Sequence, residues 1–516
     1  MAEVTLATAA SVAAMNTRLS AVEAALAGGG GPGEPTVKTF TDIREFGVVV
    51  RDLTDPALGE TPADQNRARV QQAIDASASE GIGLMLPSGS VDVNLMGGAL
   101  INRLGATIRG VSKFNSAFTN VSGPRSLTEA WPHFFDAPPV VAQTGGNGRG
   151  FFSDFRVSHG WNMRDFLGQT DRLGNWDADP ARMTGNAFNF NTPSGGPGAS
   201  AVREAGSDAH NRLVNLFIEN VPGYAVNMEG RGENFLLGLE TSRCGKAGIR
   251  NASPDNWIMF CTVYLNMDNG IETLSAAGDC RMAAIKSWFN GMGRRQEMRG
   301  AGYYFPDAGT LSITMEGCTT QDNWGPGIDL QGDTGIMFSG GILDECGGGR
   351  LEAQTGTGGG WQGTRTLPRC FIRLPGTLRG AHIEAVIRGG NRNGTANRPF
   401  LVDLMGAGVL RSRIDLRGSL DYIRMETITT GLPSGRNAQA GILTTSGHRN
   451  ANAYNRIMFH DRMLHGFVTQ AMMDNPAHGV NDALYGPTEV IRDDGRKFVK
   501  LPANVGAATP VWTAAA

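Results

Sequence analysis

LVNLFIEN (213–220), FLLGLETS (235–242), MFCTVYLN (259–266), MAAIKSWFN (282–290) and LSITMEGC (311–318) read as one loosely repeated stretch. A Gly-containing turn and a second apolar run follow most copies: GYAVNM, AGIRNA, NGIETL, GAGYYF and GPGIDL. Glu219, Glu240, Tyr264, Trp288 and Glu316 fall at matching positions, roughly two dozen residues apart, a period that signals stacked supersecondary units. The runs are short, broken by turns and free of helical period, so each unit is two or three short strands. Strands stacked rung on rung in one direction make a parallel β-helix, a quasi-one-dimensional solenoid. The expected fold is mainly β: a right-handed parallel β-helix with an N-terminal helical anchor, a capping helix and a C-terminal cap.

Composition agrees. Glycine supplies 72 of 516 residues, about twice the usual ~7%, as suits a chain that turns every few residues. The net charge of −3 gives no electrostatic reason to expect a nucleic-acid partner. No apolar run is long enough to span a membrane, and the N-terminus lacks the basic region of a secretion signal. The six cysteines, Cys244, Cys261, Cys280, Cys318, Cys346 and Cys370, show no metal-site spacing, so buried reduced thiols are expected.

Residues 4–27 read as a helix with a heptad seam through Val12, Met15, Leu19, Val22 and Leu26, followed by the flexible linker AGGGGPGEP (27–35). Residues 1–35 are therefore an anchor. Residues 36–110 hold capping elements and the first rungs, 111–446 the β-helix with loop insertions, and 447–516 a terminal cap. TPADQNRARVQQAIDASASEG reads as a helix that Thr61 can cap, with Pro62 first and Asp64 in the capping box. Val70, Ala73, Ile74 and Ser77 form its buried stripe, and Gly81 ends it. Residues 123–208 read as large loops around one rung at GFFSDFRVSHG. The strand pattern resumes at RCFIRLPGTLRGAHIEAVIRGG and VLRSRIDLRGSLDYIRMETI and is lost from about 447. VIRDDGRKFVKL (490–501) reads as a hairpin turning at Asp-Gly.

An extended segment with Phe-Gly, a helix ending VQQAIDAS, and then Gly-x-Gly-hydrophobic-x-hydrophobic-Pro-x-Gly together resemble the opening of the pectate-lyase-like superfamily of right-handed β-helices. This version is common in bacteriophage tailspikes. Where the family usually carries Gly-Asp-Gly-x-x-Asp-Asp, this chain has VVVRDLTDPALGETPAD. The resemblance implies a helix covering the open edge of the first rung and a homotrimer. It also implies a virion spike, assembled in the host cytoplasm, that binds a cell-surface polysaccharide and joins other virion proteins through its N-terminal anchor.

Strand alternation with Val214, Leu216 and Ile218 inward would send Asn215, Phe217 and Glu219 outward. It would also send out Glu240, Thr262, Tyr264, Lys286, Trp288, Thr314 and Glu316. With rungs ~4.8 Å apart, Glu219 and Glu240 would sit about 5 Å apart, the spacing of a retaining glycosidase pair; Glu240 and Glu316 would be roughly 14 Å apart. Glu219, Glu240 and Glu316 are thus the catalytic candidates if the spike cleaves its polysaccharide by hydrolysis. Lys286, Arg243 or Tyr264 could serve a lyase. Tyr264, Lys286, Trp288, Asp322 and Trp324 are the substrate-binding candidates. Asp268, Glu272 and Asp329 in the turns are alternatives. A solvated acidic face and a purely structural spike are the bland readings. Asn220, Asn266 and Asn290 at strand ends suit a structural stack. Asn175, Asp177 and Asp179 lack the Gly and Glu of a calcium loop. His448, His460, His465 and His478 lack zinc spacing. No cofactor is expected.

Overall fold

The computed structural model describes residues 39–102, 105–123, 131–136, 150–161, 185–190, 211–229, 232–274, 276–292, 300–306, 312–332, 335–347, 368–374, 379–389, 398–405 and 411–418, with shorter pieces beyond. The expected anchor helix and linker lie outside the described residues, as do Asn175, Asp177, Asp179, His448, His460 and His478.

Each repeated stretch is two strands, not one. Leu213 and its neighbours make Arg212–Val214, and then Phe217–Val221 follows; later copies give Phe235–Leu237 with Glu240–Cys244, Trp257–Met259 with Thr262–Tyr264, and Cys280–Ala283 with Lys286–Trp288. A single residue at positive φ bends the chain between them: Asn215, Gly238, Phe260, Ala284 and Gly317 on successive rungs. The left-handed conformation costs a side-chain-bearing residue energy, so its recurrence marks a corner that the coil imposes. A second corner falls at the end of the second strand, at Asn220, Arg243, Leu265, Phe289, Asp322 and Glu345, again all at positive φ. The apolar run after it forms a third strand: Val226–Met228, Ile249–Asn251, Ile271–Thr273, Tyr303–Phe305 and Ile328–Leu330.

Rungs stack in parallel, Phe217 opposite Glu240, Glu240 opposite Thr262 and Thr262 opposite Lys286. The first and second strands of every rung build a 22-stranded sheet, and the third strands build one of 12. From Gly335–Asp344 onward the first two strands merge into one long strand, repeated as Arg379–Arg388 and Arg411–Gly418. This is a parallel β-helix of three ladders.

The helix Glu60–Glu80 closes the N-terminal end. Its cap is Gly59, with no side-chain cap bond, and its last turn ends on left-handed Gly81. Thr61 and Pro62 therefore sit inside the first turn, where amide hydrogens lack helical partners and proline's missing N–H does no harm. The expected stripe Val70, Ala73, Ile74 and Ser77 is buried, joined by Ala63 and Asn66. Polar members of this face pair with neighbouring backbone. Asn66 bonds Val49 N–H (2.8 Å) and the carbonyls of Val49 and Asp92. Gln71 accepts from Ile101 N–H at 2.6 Å and donates to Ile101 C=O at 3.0 Å. Ser77 Oγ accepts from Thr107 N–H at 3.1 Å. Gly89, the last glycine of the opening motif, has φ +122, and a Cβ there would lie 2.5 Å from the Arg51 carbonyl oxygen.

Inside, Phe118, Phe135, Phe152 and Phe188 fill the early rungs, Phe135 stacked on Phe188 at 5.0 Å. Aliphatic side chains fill the later ones. Asn266, Asn290 and Asn323 stack at the second corner, Nδ2 of Asn266 donating to Asn290 (2.8 Å) and Nδ2 of Asn290 to Asn323 (2.9 Å). Asn220 is not part of this stack; it is the left-handed corner residue one position earlier. A second Asn stack runs through Asn211, Asn234 and Asn256.

Three further expectations change. Phe135–Asp136 and Phe188–Phe190, in the region read as loops, are third-ladder strands. Arg456–Phe459, beyond the point where the pattern fades, adds one more parallel strand before Arg462–His465 pairs antiparallel with it. Val214 is only partly buried, and Leu213, Leu216 and Ile218 are the inward residues, because the bend at Asn215 shifts the alternation by one. The terminal hairpin strands Glu489–Arg492 and Lys497–Leu501 are antiparallel as expected.

Candidate functional site

The outward residues of the second ladder form two columns. One runs Arg156, Phe217, Glu240, Thr262, Lys286, Thr319. The other runs Ser158, Glu219, Ser242, Tyr264, Trp288, Gln321, Asp344. Tyr264 and Trp288 are register partners, and their rings stack at 5.0 Å with an 18° interplanar angle. The Lys286 ammonium lies 5.0 Å from the Trp288 ring centre, and Phe289 packs against the same indole at 4.7 Å. One rung back, Glu240 accepts from Tyr264 Oη at 2.8 Å and pairs with Lys113 Nζ at 3.3 Å. Burial, and then this bond to a carboxylate, raises the Tyr264 pKa and keeps it a phenol donor. The Trp288 Nε1–H has no hydrogen-bond partner among the described residues. The result is a half-buried aromatic strip edged by a carboxylate and two ammonium groups.

The three carboxylate candidates do not form the expected row. Glu219 faces Ser242, and Glu240 faces Phe217, so the two occupy different columns. Glu219 is also buried, one oxygen bonded by Arg156 and the other by Arg243 at 3.1 Å. Both oxygens are taken by guanidiniums and neither is open to a substrate. Glu316 is exposed but belongs to the first ladder, between Ala283 and Ser339. The register partner of Trp288 is Gln321. The chain between these rungs is longer than in the earlier copies, and alignment by sequence pattern stops five residues short. Trp324 is buried, its Nε1 donating to Met292 Sδ at 3.3 Å, so it cannot serve as a contact surface.

Asp322, at the corner beside Gln321, is buried; Gln321 donates to its Oδ2 at 3.0 Å. Burial first, then the charge of Glu345 on the next rung, raises its pKa to about 7. Asp329 is buried on the third ladder and bound by Arg373 at 2.9 Å, which also meets Asp403 at 3.3 Å. It is a structural ion pair.

Asp329 belongs to a polar column at the centre of the third strands: Asp136, Asn189, Asn227, Arg250, Glu272, Tyr304, Asp329, Arg373, Asp403. Sequence reading treated these runs as apolar. The signal was present as a polar residue between two apolar ones in FNF, VNM, IDL and VDL.

All six cysteines are free and buried. Burial raises the pKa of Cys244, Cys261, Cys280 and Cys318, to about 12 for Cys261 and Cys280 and about 11 for Cys318, which makes these four inert core thiols. Among the described residues no group of three or more His, Cys, Asp or Glu is placed to hold a metal, and no helix is long and apolar enough to cross a membrane.

No family model matches the chain, and no curated protein matches it in sequence. Several solved structures are similar in outline. The mannuronan C-5 epimerase A-module of Azotobacter vinelandii aligns over 74% of this chain and 95% of its own at 13% identity and TM-score 0.45. The catalytic unit of a GH87 α-1,3-glucanase from Streptomyces thermodiastaticus aligns over 75% and 62% at 14% identity and TM-score 0.43. Bacteriophage phi29 gene product 12, in its pre-mature form, aligns over 82% and 57% at 12% identity and TM-score 0.37. Likeness at this level says nothing about activity.

Proposed function

We propose that this chain is a spike of a bacteriophage or phage-like particle that binds a cell-surface polysaccharide, with the Tyr264–Trp288 strip as its contact surface. The stacked, half-buried ring pair carries the reading. An aromatic face suits the apolar face of a pyranose. Glu240 and Lys286 stand beside it to bond hydroxyls. The spike acts as a homotrimer and joins its particle through residues 1–35, on the strength of the heptad seam and the tailspike-like opening motif.

Retention of extracted bacterial capsule and O-antigen polysaccharides by the purified full-length protein tests this. Trp288→Ala is expected to weaken retention by about 2 kcal/mol or more, roughly thirty-fold. Failure of the wild-type protein to retain any of them would leave a purely structural spike.

A further inference from the structure

The outward face of the first ladder is apolar where a solvated solenoid face would be polar. Val214, Leu237, Met259 and Ala283 are register partners in one outward column, and Phe235 and Trp257 in the other. None of the six is fully buried, and Trp257 is 40% exposed with the Arg281 guanidinium 4.7 Å from its ring centre. The patch covers four rungs, roughly 14 Å. On the next rung Thr314 and Glu316 take the same positions, and it ends. Its two borders carry opposite charge. The corner before the first strand holds Glu233, Asp255 and Asp279, all exposed and all at positive φ. They stack from rung to rung, Glu233 N–H donating to Pro254 C=O and Asp255 N–H to Gly278 C=O. Across the first corner stand Arg156, Lys113 and Lys286, with Glu240 among them; Glu219 is buried under Arg156. Lys113 comes from a loop three rungs earlier that leaves Val111 55% and Phe114 66% exposed. A contiguous exposed apolar patch with a charged rim marks a protein contact surface.

We propose that copies of this chain meet on the first-ladder patch, with Trp257 at its centre and the acidic border of one copy against the basic border of the next. The number of copies rests on the trimeric reading above; the face and its borders do not. The described chain enters the coil at Phe40, in the outward column that leads through successive register partners to Trp257. Residues 1–35 therefore tether each copy at the end of this same ladder, and a nine-residue linker spans at most about 30 Å. Copies gathered by the heptad seam start side by side, with their first rungs level. A rotation axis parallel to the coils keeps every rung level with its copies and brings unlike borders together. The groups that face each other then belong to the same rung: Asp279 of one copy and Lys286 of the next, and likewise Glu233 and Lys113. A second copy thus matches both borders and covers the rings between them; a partner of one charge would match a single border.

The test places a thiol on the patch of the full-length protein, Ala283→Cys, and follows its reaction with a bulky maleimide. The six native cysteines are buried and do not compete. Glu384→Cys, exposed on a later rung, is the open reference. With three chain masses in light scattering, Cys at 283 is expected to react at least about ten-fold more slowly than Cys at 384. Adding Trp257→Glu should abolish that protection at unchanged melting temperature. Should that variant fold poorly, the charge swap supplies a milder check: Asp279→Lys and Lys286→Asp should each speed the reaction at 283, and the two together should slow it again. Equal rates at 283 and 384 would overturn the proposal. So would slow reaction at 283 that neither Trp257→Glu nor the single swaps change, since the chain's own structure would then cover the site. A double swap as fast as the single ones would overturn the pairing of borders. Three chain masses alongside equal rates would leave the trimeric reading standing and remove this face from it; a monodisperse monomer would remove both.

Discussion

Carboxylates of the same type do three different jobs on this surface, and their neighbours decide which. Glu219 is gripped by two guanidiniums and holds rungs together. Glu240 shares Lys113 and Tyr264 at the edge of the aromatic strip. Asp322 is buried with another carboxylate nearby, which makes its ionised form unfavourable. An acid whose folded pKa is raised stabilises the fold while protonated. Its contribution is full below the unfolded value of 3.8 and is lost as pH rises through about 7. Asp322→Asn is therefore expected to raise the melting temperature at pH 8 and to leave it unchanged near pH 3.5. Equal effects at both values, seen in paired thermal melts, would contradict this.

At the scale of elements, buried polar side chains close what the backbone leaves open. The helix Glu60–Glu80 covers the first rung, and Gln71 satisfies both backbone groups of Ile101 on the third ladder. Gln71→Ala should cost about 2 kcal/mol, the penalty for orphaning buried backbone groups, read as a lower denaturation midpoint with an unchanged slope. Deep in the third ladder, Arg373 is fully buried between Asp329 and Asp403. Arg373→Ala should cost about 3–5 kcal/mol because two buried carboxylates lose their partner. A melting temperature equal to wild type would show that the charges are hydrated. The capping helix, its buried stripe and the terminal hairpin were legible from local pattern alone, since each depends on residues within a few positions of one another. The N-cap was misplaced by two residues because a glycine cap carries no side-chain signature.

The molecule as a whole is a stack in which each rung contacts mainly its neighbours, and a trimer would bury long outward faces of that stack. Light scattering on the full-length protein is expected to give three chain masses, and removal of residues 1–35 to abolish incorporation into particles; a monodisperse monomer would remove the trimeric reading. By itself the sequence determined the repeated short strands, the coil they build, the capping helix, the reduced core thiols and the outward-facing Tyr264 and Trp288. Those features follow from period, turn residues and apolar content, all of which are local. Only the tertiary structure decided which residues stand side by side. Register between rungs is set by backbone hydrogen bonds after chain excursions of unequal length, and one left-handed residue at each corner shifts the alternation. Those two effects separate Glu219 from Glu240, move Glu316 to another ladder, pair Trp288 with Gln321, and bring Tyr224, Lys246 and Glu272 together from three rungs.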